Sequence, residues 1–384
     1  MDKIIYFDNA ATTRVSKAAL EAMLPFLNEE YGNPSSIYAV GRQAKKAVEE
    51  ARRRVATAIG AMPEEIFFTG CGTESNNWAL KSAAALLEKK GKHIISTAIE
   101  HPAVLETLKF LGGIGFEITY LGVDSNGQIS LDELSKAIRE DTIVISIMTA
   151  NNEIGTILPI AQVGEIAKEK GILLHTDAVQ AVGSIPIDVV QMNVDMLTLS
   201  GHKLGAPKGV GALYIKKGLK LPIYIHGGGQ ENGKRSGTEN VAAIVALAAA
   251  LEHRVSRLPL VELEKKRNRL IREVLKIPRS SLTGDPKNRL PSIASFVFEA
   301  VEGEAMLLML DQYGICGSSG SACSSGSLDP SHVLLAIGLP HEIAHGSLRL
   351  SLSEDSTDEE IDFVVEKLTQ VVEKLRKMSP VWEG

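Results

Sequence analysis

The chain has 384 residues, of which 44% are hydrophobic and 23% are charged, and its formal net charge is −6. These values are ordinary for a globular protein long enough to form two domains. The acidic balance, with no compensating basic block, argues against a nucleic-acid partner. No apolar run approaches the roughly 20 residues of a membrane span, and residues 241–251 come nearest.

The cysteine content indicates the compartment. Three cysteines, none in a C-x-x-C spacing, argue against a disulfide framework. The first eight residues lack the pattern of a secretory signal peptide. We therefore expect a cytoplasmic protein that is not associated with a membrane.

Short apolar strands alternate with helices over the first two thirds of the chain. A helix is predicted after Ser16 and another at 44–59, whose arginines 52–54 we interpret as a solvated face. Strands are then predicted at 66–69, 93–96, 116–121, 143–148, 172–175, 194–199 and 210–215. Helices are predicted at 73–89, 102–111, from Leu131 and at 159–170. This alternation predicts an α/β fold with a mostly parallel sheet covered by helices on both faces.

The last third of the chain predicts a smaller α+β domain. Its elements are helices at 240–257 and 260–277, a strand at 293–298, a helix at 304–310, a strand at 348–352 and a helix at 357–376. We assign residues 16–257 to the large domain. Residues 1–15 and 258–384 form the small domain, which contains Cys323.

Lys203 lies in the short turn Ser200-Gly201-His202-Lys203 between two predicted buried strands. A lysine withdrawn from water becomes a nucleophile toward carbonyl groups, which a Schiff base with pyridoxal phosphate requires. Ligands of parallel sheets bind beyond the carboxyl ends of the strands, where this turn lies. A solvated lysine is the alternative that the turn alone leaves open.

Asp177 follows the strand at 172–176, with Gln180 three residues further on. A carboxylate at a strand end next to Lys203 would keep the pyridine nitrogen of pyridoxal phosphate protonated. A buried ion pair between Asp177 and Lys203 is the alternative. The spacing of His175 and Asp177 also occurs in metal sites, but no second ligand cluster supports a metal.

The segment Gly70-Cys71-Gly72-Thr73-Glu74-Ser75 opens a helix directly after a strand. Such a helix start binds anions through free backbone N–H groups, and the Thr73 hydroxyl can add a hydrogen bond. Ser75 stands where a dinucleotide fingerprint has its third glycine, so a single phosphate fits better than a dinucleotide. Ser200 and His202 are further candidate donors to this phosphate. A capped helix without a ligand remains the alternative.

Three other side chains are candidates for chemistry. His101 follows a strand and is suited to stacking on a flat ring and to moving protons near neutral pH, although a solvent-facing histidine is an equal alternative. Arg349 alternates with leucines in a strand, so it can turn inward and bind a carboxylate or lie on the solvent face. Cys323 lies among glycines and serines at 320–327, which suits an exposed nucleophile, whereas we interpret Cys71 and Cys316 as structural.

Together these segments resemble the cysteine desulfurases, fold-type I pyridoxal phosphate enzymes of the class-V aminotransferase type. The resemblance runs nearly end to end and is carried by Asp8-Asn9-Ala10-Ala11-Thr12-Thr13, Gly32-Asn33-Pro34-Ser35-Ser36, Gly72-Thr73-Glu74-Ser75-Asn76-Asn77, Glu100-His101, Asn151-Asn152-Glu153-Ile154-Gly155, His175-Thr176-Asp177-Ala178-Val179-Gln180, Ser200-Gly201-His202-Lys203, Arg235-Ser236-Gly237-Thr238 and Ser321-Ala322-Cys323-Ser324-Ser325-Gly326. It implies a large domain with a mostly parallel seven-stranded sheet. Cys71 departs mildly from the family, many members of which have a small residue there.

The resemblance implies how pyridoxal 5′-phosphate is bound. Lys203 would hold the aldehyde, Asp177 the pyridine nitrogen and Gln180 the phenolic oxygen, while His101 would stack on the ring. The phosphate would be held by the backbone of Gly72 and Thr73 and by the side chains of Thr73, Ser200 and His202. Thr238 would reach the phosphate of the other subunit in a homodimer.

The resemblance also implies the reaction, the conversion of L-cysteine to L-alanine. Lys203, His101 and Cys323 would be catalytic, with Cys323 taking the sulfur as a persulfide. Asn152 and Arg349 would bind the substrate carboxylate. The sulfur would pass to an iron–sulfur scaffold protein, and no metal site is expected beyond a transient contact of Cys323 with an iron–sulfur cluster. A selenocysteine lyase or another aminotransferase-like enzyme is the alternative.

Overall fold

The computed structural model describes residues 4–319 and 330–382. Its strands are β1 (Ile5–Tyr6), β2 (Ile66–Thr69), β3 (His93–Thr97), β4 (Glu117–Leu121), β5 (Thr142–Ser146), β6 (Leu173–Asp177), β7 (Met196–Ser200), β8 (Gly211–Ile215), β9 (Ser280–Leu282), β10 (Ile293–Phe298), β11 (Ile315–Cys316) and β12 (Ser347–Ser351). Its helices are α1 (Lys17–Met23), α2 (Pro25–Asn28), α3 (Ala39–Ala58), α4 (Gly72–Leu87), α5 (Pro102–Gly113), α6 (Leu131–Ala137), α7 (Ile160–Lys170), α8 (Val241–Val255), α9 (Val261–Val274), α10 (Gly303–Asp311), α11 (His332–Ala336), α12 (His341–Ala344) and α13 (Asp358–Met378).

Seven strands form the main sheet in the order β2-β8-β7-β6-β5-β3-β4. The strands from β7 to β4 are parallel, whereas β8 pairs antiparallel with both β7 and β2. β5, β7 and β8 are buried along their whole length, as expected for strands covered on both faces. The predicted α/β fold with a mostly parallel seven-stranded sheet is confirmed.

Alternate residues of the sheet belong to two different hydrophobic cores. Ile94 packs with Trp78 of α4 and Leu108 of α5, whereas the next residue, Ile95, packs with Val48 of α3 and Leu247 of α8. Successive side chains of a strand point to opposite faces. The near-continuous apolar composition of these strands is therefore explained by helices on both sides of the sheet.

A third hydrophobic core lies in the C-terminal part of the chain. Phe7, from the N-terminal segment, also belongs to this core. The three-stranded antiparallel sheet β12-β10-β9 contributes Phe296, and α13 contributes Leu368. β1 pairs parallel with β11, with Ile5 opposite Ile315, so the N-terminal residues join this part of the molecule. The division into residues 16–257 and residues 1–15 with 258–384 agrees with this core and stays a proposal.

The interpretation of arginines 52–54 as a solvated face is wrong for Arg52. Arg52 is not on a solvated face, because its side chain is only 7% exposed and forms a bidentate ion pair with Glu231, at 2.7 and 2.9 Å. Its neighbour Arg53 is exposed as expected. Within the described ranges, no helix has both the length and the apolar character needed to cross a membrane.

Candidate active site

A cavity of about 360 Å³ lies where β6 and β7 end. This is the size of a small-ligand pocket and the expected position in an open α/β sheet. Ten of the residues singled out from the sequence line it, namely Gly72, Thr73, His101, Asn152, Asp177, Gln180, Ser200, His202, Lys203 and Arg349. Thr238 is exposed and does not line the cavity of its own chain. Cys323 lies outside the described residues.

The turn that carries Lys203 is held by the N-terminal segment. Lys203 Nζ donates to the carbonyl oxygens of Ala10 and Ala11, at 2.5 and 2.7 Å. Thr13 locks the same turn, because its hydroxyl donates to the His202 carbonyl and accepts from the Gly205 N–H. The Lys203 side chain is half-buried rather than fully buried. The amine therefore has a fixed position on the cavity wall.

Asp177 is the last residue of β6, and both of its carboxylate oxygens accept hydrogen bonds. Asn76 Nδ2 donates to Oδ2 at 2.6 Å, and the Val179 N–H donates to Oδ1 at 3.0 Å. Two donated hydrogen bonds suit the ionised carboxylate, which is an acceptor only. Asn76 was not singled out from the sequence, although it lies one turn from Thr73 on the same face of α4.

Gln180 contacts the N-terminal segment of the chain. Its Nε2 donates to the Ala10 carbonyl at 2.9 Å, the same oxygen that accepts from Lys203. Gln180 and Lys203 are thus held side by side by one backbone oxygen. The amide still lines the cavity, next to Asp177.

His101 is the N-cap of α5, and its Nδ1 accepts from the Ala103 N–H at 3.1 Å. Burial lowers the pKa of His101, so the neutral ring is favoured. A neutral imidazole that accepts at Nδ1 carries its proton on Nε2. The ring is thus prepared to present one N–H donor and a flat face to the cavity.

The start of α4 forms a corner of the cavity with the features of an anion site. A Cβ on Gly72 would lie 2.9 Å from Val179 Cγ2, so only glycine allows this close approach of helix and wall. The Ser200 hydroxyl is buried and has no hydrogen-bond partner within the described chain. Burial lowers the pKa of His202 to about 4, which favours the neutral ring. Backbone N–H groups and neutral side-chain donors are therefore concentrated at this corner.

Arg349 lies in the middle of β12 with its side chain buried, so the alternative of a solvent-facing arginine is wrong. Its Nη1 donates to the Asn152 carbonyl at 2.8 Å, and its Nη2 donates to Asp8 Oδ1 at 3.0 Å. Its Nε is buried and has no hydrogen-bond partner among the described residues. A buried guanidinium that lines a cavity and has one N–H without a partner among the described residues suits a carboxylate ligand.

Two buried carboxyl groups behind the cavity were not identified as site residues from the sequence. Burial raises the pKa of Glu100 to about 8, and its Oε1 accepts from Thr97 Oγ1 and the Met148 N–H. Burial also raises the pKa of Glu153, which accepts a hydrogen bond from the Ser331 hydroxyl. Both residues lie in segments that carry the family resemblance, next to His101 and Asn152. This position is the signal in the sequence that could have identified them.

The residues present fit a flat, phosphate-bearing aromatic ligand. Ser200 Oγ and Asn76 Oδ1 are buried polar atoms whose hydrogen-bonding capacity is unused in the described chain, and both residues line the cavity. Burying a polar atom without a partner costs free energy, so a ligand that forms hydrogen bonds with these two atoms would be stabilised by them. No group of three or more potential metal ligands occurs in the part of the chain that the structure describes.

Known proteins resemble the chain over its whole length. Residues 5–364 match the family model of the class-V aminotransferases. A cysteine desulfurase IscS of Methanosarcina thermophila is 55% identical over 387 residues, covering 99% of this chain and 95% of the relative. A solved structure of a NifS-like protein has a TM-score of 0.92 and 42% identity, covering 97% of this chain and all of that one. The structure of SspA in complex with cysteine has a TM-score of 0.82 and 40% identity, covering 90% of this chain and 98% of that one.

Proposed function

Since the chain belongs to the cysteine desulfurases of the class-V aminotransferase family, we propose that it uses pyridoxal 5′-phosphate to convert L-cysteine to L-alanine, with the sulfur passing to Cys323. One observation carries the proposal. A single cavity combines Lys203, the carboxylate of Asp177, a phosphate-type helix start and the buried Arg349. No simpler ligand uses all four groups at once.

The cofactor site is proposed residue by residue. Gly72 and Thr73 offer backbone N–H groups to the phosphate, and Ser200 and His202 add side-chain donors. Asp177 would pair with the pyridine nitrogen, and Lys203 would hold the aldehyde covalently. When bound, the cofactor supplies an electron sink for the bonds at the substrate's Cα. Gln180 is proposed as the donor to the phenolic oxygen, through the second N–H of the amide that donates to the Ala10 carbonyl.

The chain's own residues have separate tasks in the reaction. Arg349 binds the substrate carboxylate through its unused Nε–H, with Asn152 beside it. Lys203, once released from the aldehyde, takes the proton from Cα and returns it elsewhere on the substrate. His101 stacks on the ring and presents its Nε2–H, because its pKa is lowered and its Nδ1 is occupied. Glu100 and Glu153 lie buried behind these residues.

The sulfur step is proposed to occur at Cys323. Its thiolate attacks the substrate sulfur, so that an S–S bond forms while the Cβ–S bond breaks. The electron pair of the broken bond stays with Cβ, which is then protonated on the way to L-alanine. The persulfide sulfur passes to an iron–sulfur scaffold protein, the acceptor that the family resemblance favours.

A homodimer is part of the proposal. Leu24, Leu27, Tyr31, Ile37 and Tyr38 are 51–88% exposed in the single chain. Five large apolar side chains exposed within fifteen residues of sequence support burial of this segment against a second copy. Thr238, exposed and away from its own cavity, is available to the phosphate site of the partner subunit.

An absorption spectrum and a product assay test the proposal. The purified protein should show a Schiff-base absorption band that borohydride abolishes. It should release one alanine for each sulfur accepted, with a one-sulfur mass increment on the peptide that contains Cys323. The absence of the band after incubation with pyridoxal phosphate, or release of alanine without any persulfide, would refute the proposed function.

A further inference from the structure

Glu74 places a carboxylate at the N-terminus of α4. This is the helix start that we propose binds the cofactor's phosphate. It lies in the first turn of α4, one residue after Thr73. Its Oε2 accepts the N–H of Gly70 at 2.7 Å, so the carboxylate folds back over the turn that precedes the helix. An acidic side chain suits a free helix N-terminus. It has the same sign of charge as a phosphate, however, so a second anion at this corner would be opposed.

Arg235 neutralises this carboxylate from a distant part of the chain. Its Nε lies 2.7 Å from Glu74 Oε1, and its Nη2 lies 3.2 Å from Oε2, which is the bidentate geometry of strong arginine–carboxylate pairs. The two side chains are only 22% and 17% exposed, so solvent and salt screen the pair less than a surface pair. The hydrogen bond to Glu74 also raises the pKa of Arg235.

Contacts other than the ion pair determine where Arg235 lies. The N–H of Ser236 donates to the Ile225 carbonyl at 3.1 Å, and the N–H of Tyr224 donates to the Lys234 carbonyl at 2.9 Å. The Tyr224 ring stacks on Trp78 of α4, with ring centroids 5.6 Å apart and an interplanar angle of 8°. The backbone therefore brings Arg235 to α4 independently of Glu74.

We propose that Arg235 is a positioning residue for the phosphate end of the ligand, acting by neutralising Glu74 and holding it over the turn before α4. The proposal rests on the proposed function, because it concerns the phosphate of the same cofactor. A rival explanation for any effect of Arg235 is displacement of Thr238, three residues further on, which would reach the partner's phosphate. The two explanations differ in what removal of the Glu74 charge should do.

The experiment uses the cofactor-free protein and two ligands, pyridoxal phosphate and pyridoxal, which lacks the phosphate. Arg235→Gln should weaken binding of pyridoxal phosphate at least tenfold and change binding of pyridoxal less than twofold. The double variant Arg235→Gln with Glu74→Gln should bind pyridoxal phosphate within threefold of the wild type, because no charge is left to neutralise. Inorganic phosphate should show the same order of affinities. Arg139→Gln is the matched control, since it breaks a bidentate pair with Asp141 away from the cavity.

Any other outcome contradicts the proposed role of Arg235. An equal loss of affinity for both ligands would mean that Arg235 is structural, and failure of the double variant to recover would favour the Thr238 explanation. Either result overturns the inference while leaving the proposed function intact. If Arg235→Gln does not fold, Glu74→Gln alone decides, because weaker binding of pyridoxal phosphate by that variant would also overturn it. Wild-type protein that binds pyridoxal as tightly as pyridoxal phosphate would overturn the inference and the proposed phosphate site together.

Discussion

The side-chain amide of Asn76 donates to Asp177 Oδ2 across 2.6 Å, and both residues are buried in the wall of the cavity. The other carboxylate oxygen is occupied by the N–H of Val179. A carboxylate held on both oxygens cannot rotate freely, so this pair sets the direction in which Asp177 meets a ligand. The amide oxygen of Asn76 is buried and has no hydrogen-bond partner in the described chain, and Asn76 is one of the residues that line the cavity.

Asn76→Ala is expected to lower the rate of alanine release roughly tenfold or more, since a hydrogen bond to a charged group contributes about 1.5–3 kcal/mol. The Michaelis constant for cysteine should change much less, because Asn76 acts through Asp177 rather than on the substrate. Asn77→Ala is the matched control, as the Asn77 amide donates to the Thr73 carbonyl of its own helix. Equal rates for the two variants would contradict the role assigned to Asn76.

Lys203→Ala should abolish turnover while leaving the protein folded. The proposed covalent bond to the cofactor and the proposed proton carrier at Cα would both be lost, whereas the proposed phosphate contacts of Ser200 and His202 would remain. The variant should therefore retain pyridoxal phosphate reversibly, and dialysis should remove it. Lys208→Ala, an exposed lysine of the same connection, should behave as the wild type. Wild-type turnover by Lys203→Ala would exclude this lysine as the catalytic one.

Cys323→Ser should bind the cofactor and cysteine but should not form a persulfide, because a hydroxyl is a far poorer attacker on sulfur than a thiolate. Cys71→Ser and Cys316→Ser should retain most of the activity. Burial raises the pKa of Cys316, which makes its thiolate scarcer at neutral pH. The measurement is alanine release together with mass spectrometry of the three cysteine peptides. A persulfide on Cys71 or Cys316, or full activity of Cys323→Ser, would contradict the assignment.

The local pattern of apolar residues in the sequence was enough to predict the sheet. It also predicted the strand ends that carry Lys203 and Asp177. Apolar runs of strand length mark buried strands, and in a parallel sheet their carboxyl ends meet at one edge. The strand predicted at 172–175 extends to Asp177, so this residue ends the strand instead of following it. Such differences of one or two residues did not move any candidate away from the cavity.

Contacts between distant parts of the chain could not be predicted in this way. Arg52 is one of three consecutive arginines, a pattern that is typical of a solvated face. Its buried partner Glu231 is 179 residues away in the sequence. Asn76 and Asp177 are 101 residues apart, and no local pattern links an amide in a helix to a carboxylate in a strand. The Ala10 carbonyl that accepts from both Gln180 and Lys203 is a backbone atom and has no signature in the sequence.

Glu100 makes the stability of the protein depend on pH in a defined direction. Its carboxyl group is buried, one of its oxygens lacks a partner in the described chain, and its pKa is raised from 4.5 to about 8. Between these two values the folded state binds a proton that the unfolded state does not. The free energy of unfolding therefore loses this contribution as pH rises from about 4.5 to 8, and below that range the contribution is fully present.

Glu100→Gln should remove this dependence, because its amide imitates the protonated carboxyl group at every pH. Relative to the wild type, the variant should gain stability steadily as pH rises toward 8, by a few kcal/mol at most, since each pKa unit corresponds to about 1.4 kcal/mol. Urea unfolding at pH 5, 6.5 and 8 measures the difference, and Glu88→Gln, at the C-terminal end of α4, is the control. A difference between Glu100→Gln and the wild type that stays constant with pH would show that Glu100 is already ionised in the folded protein. In that case Oε2 must accept from a donor that the described residues do not supply.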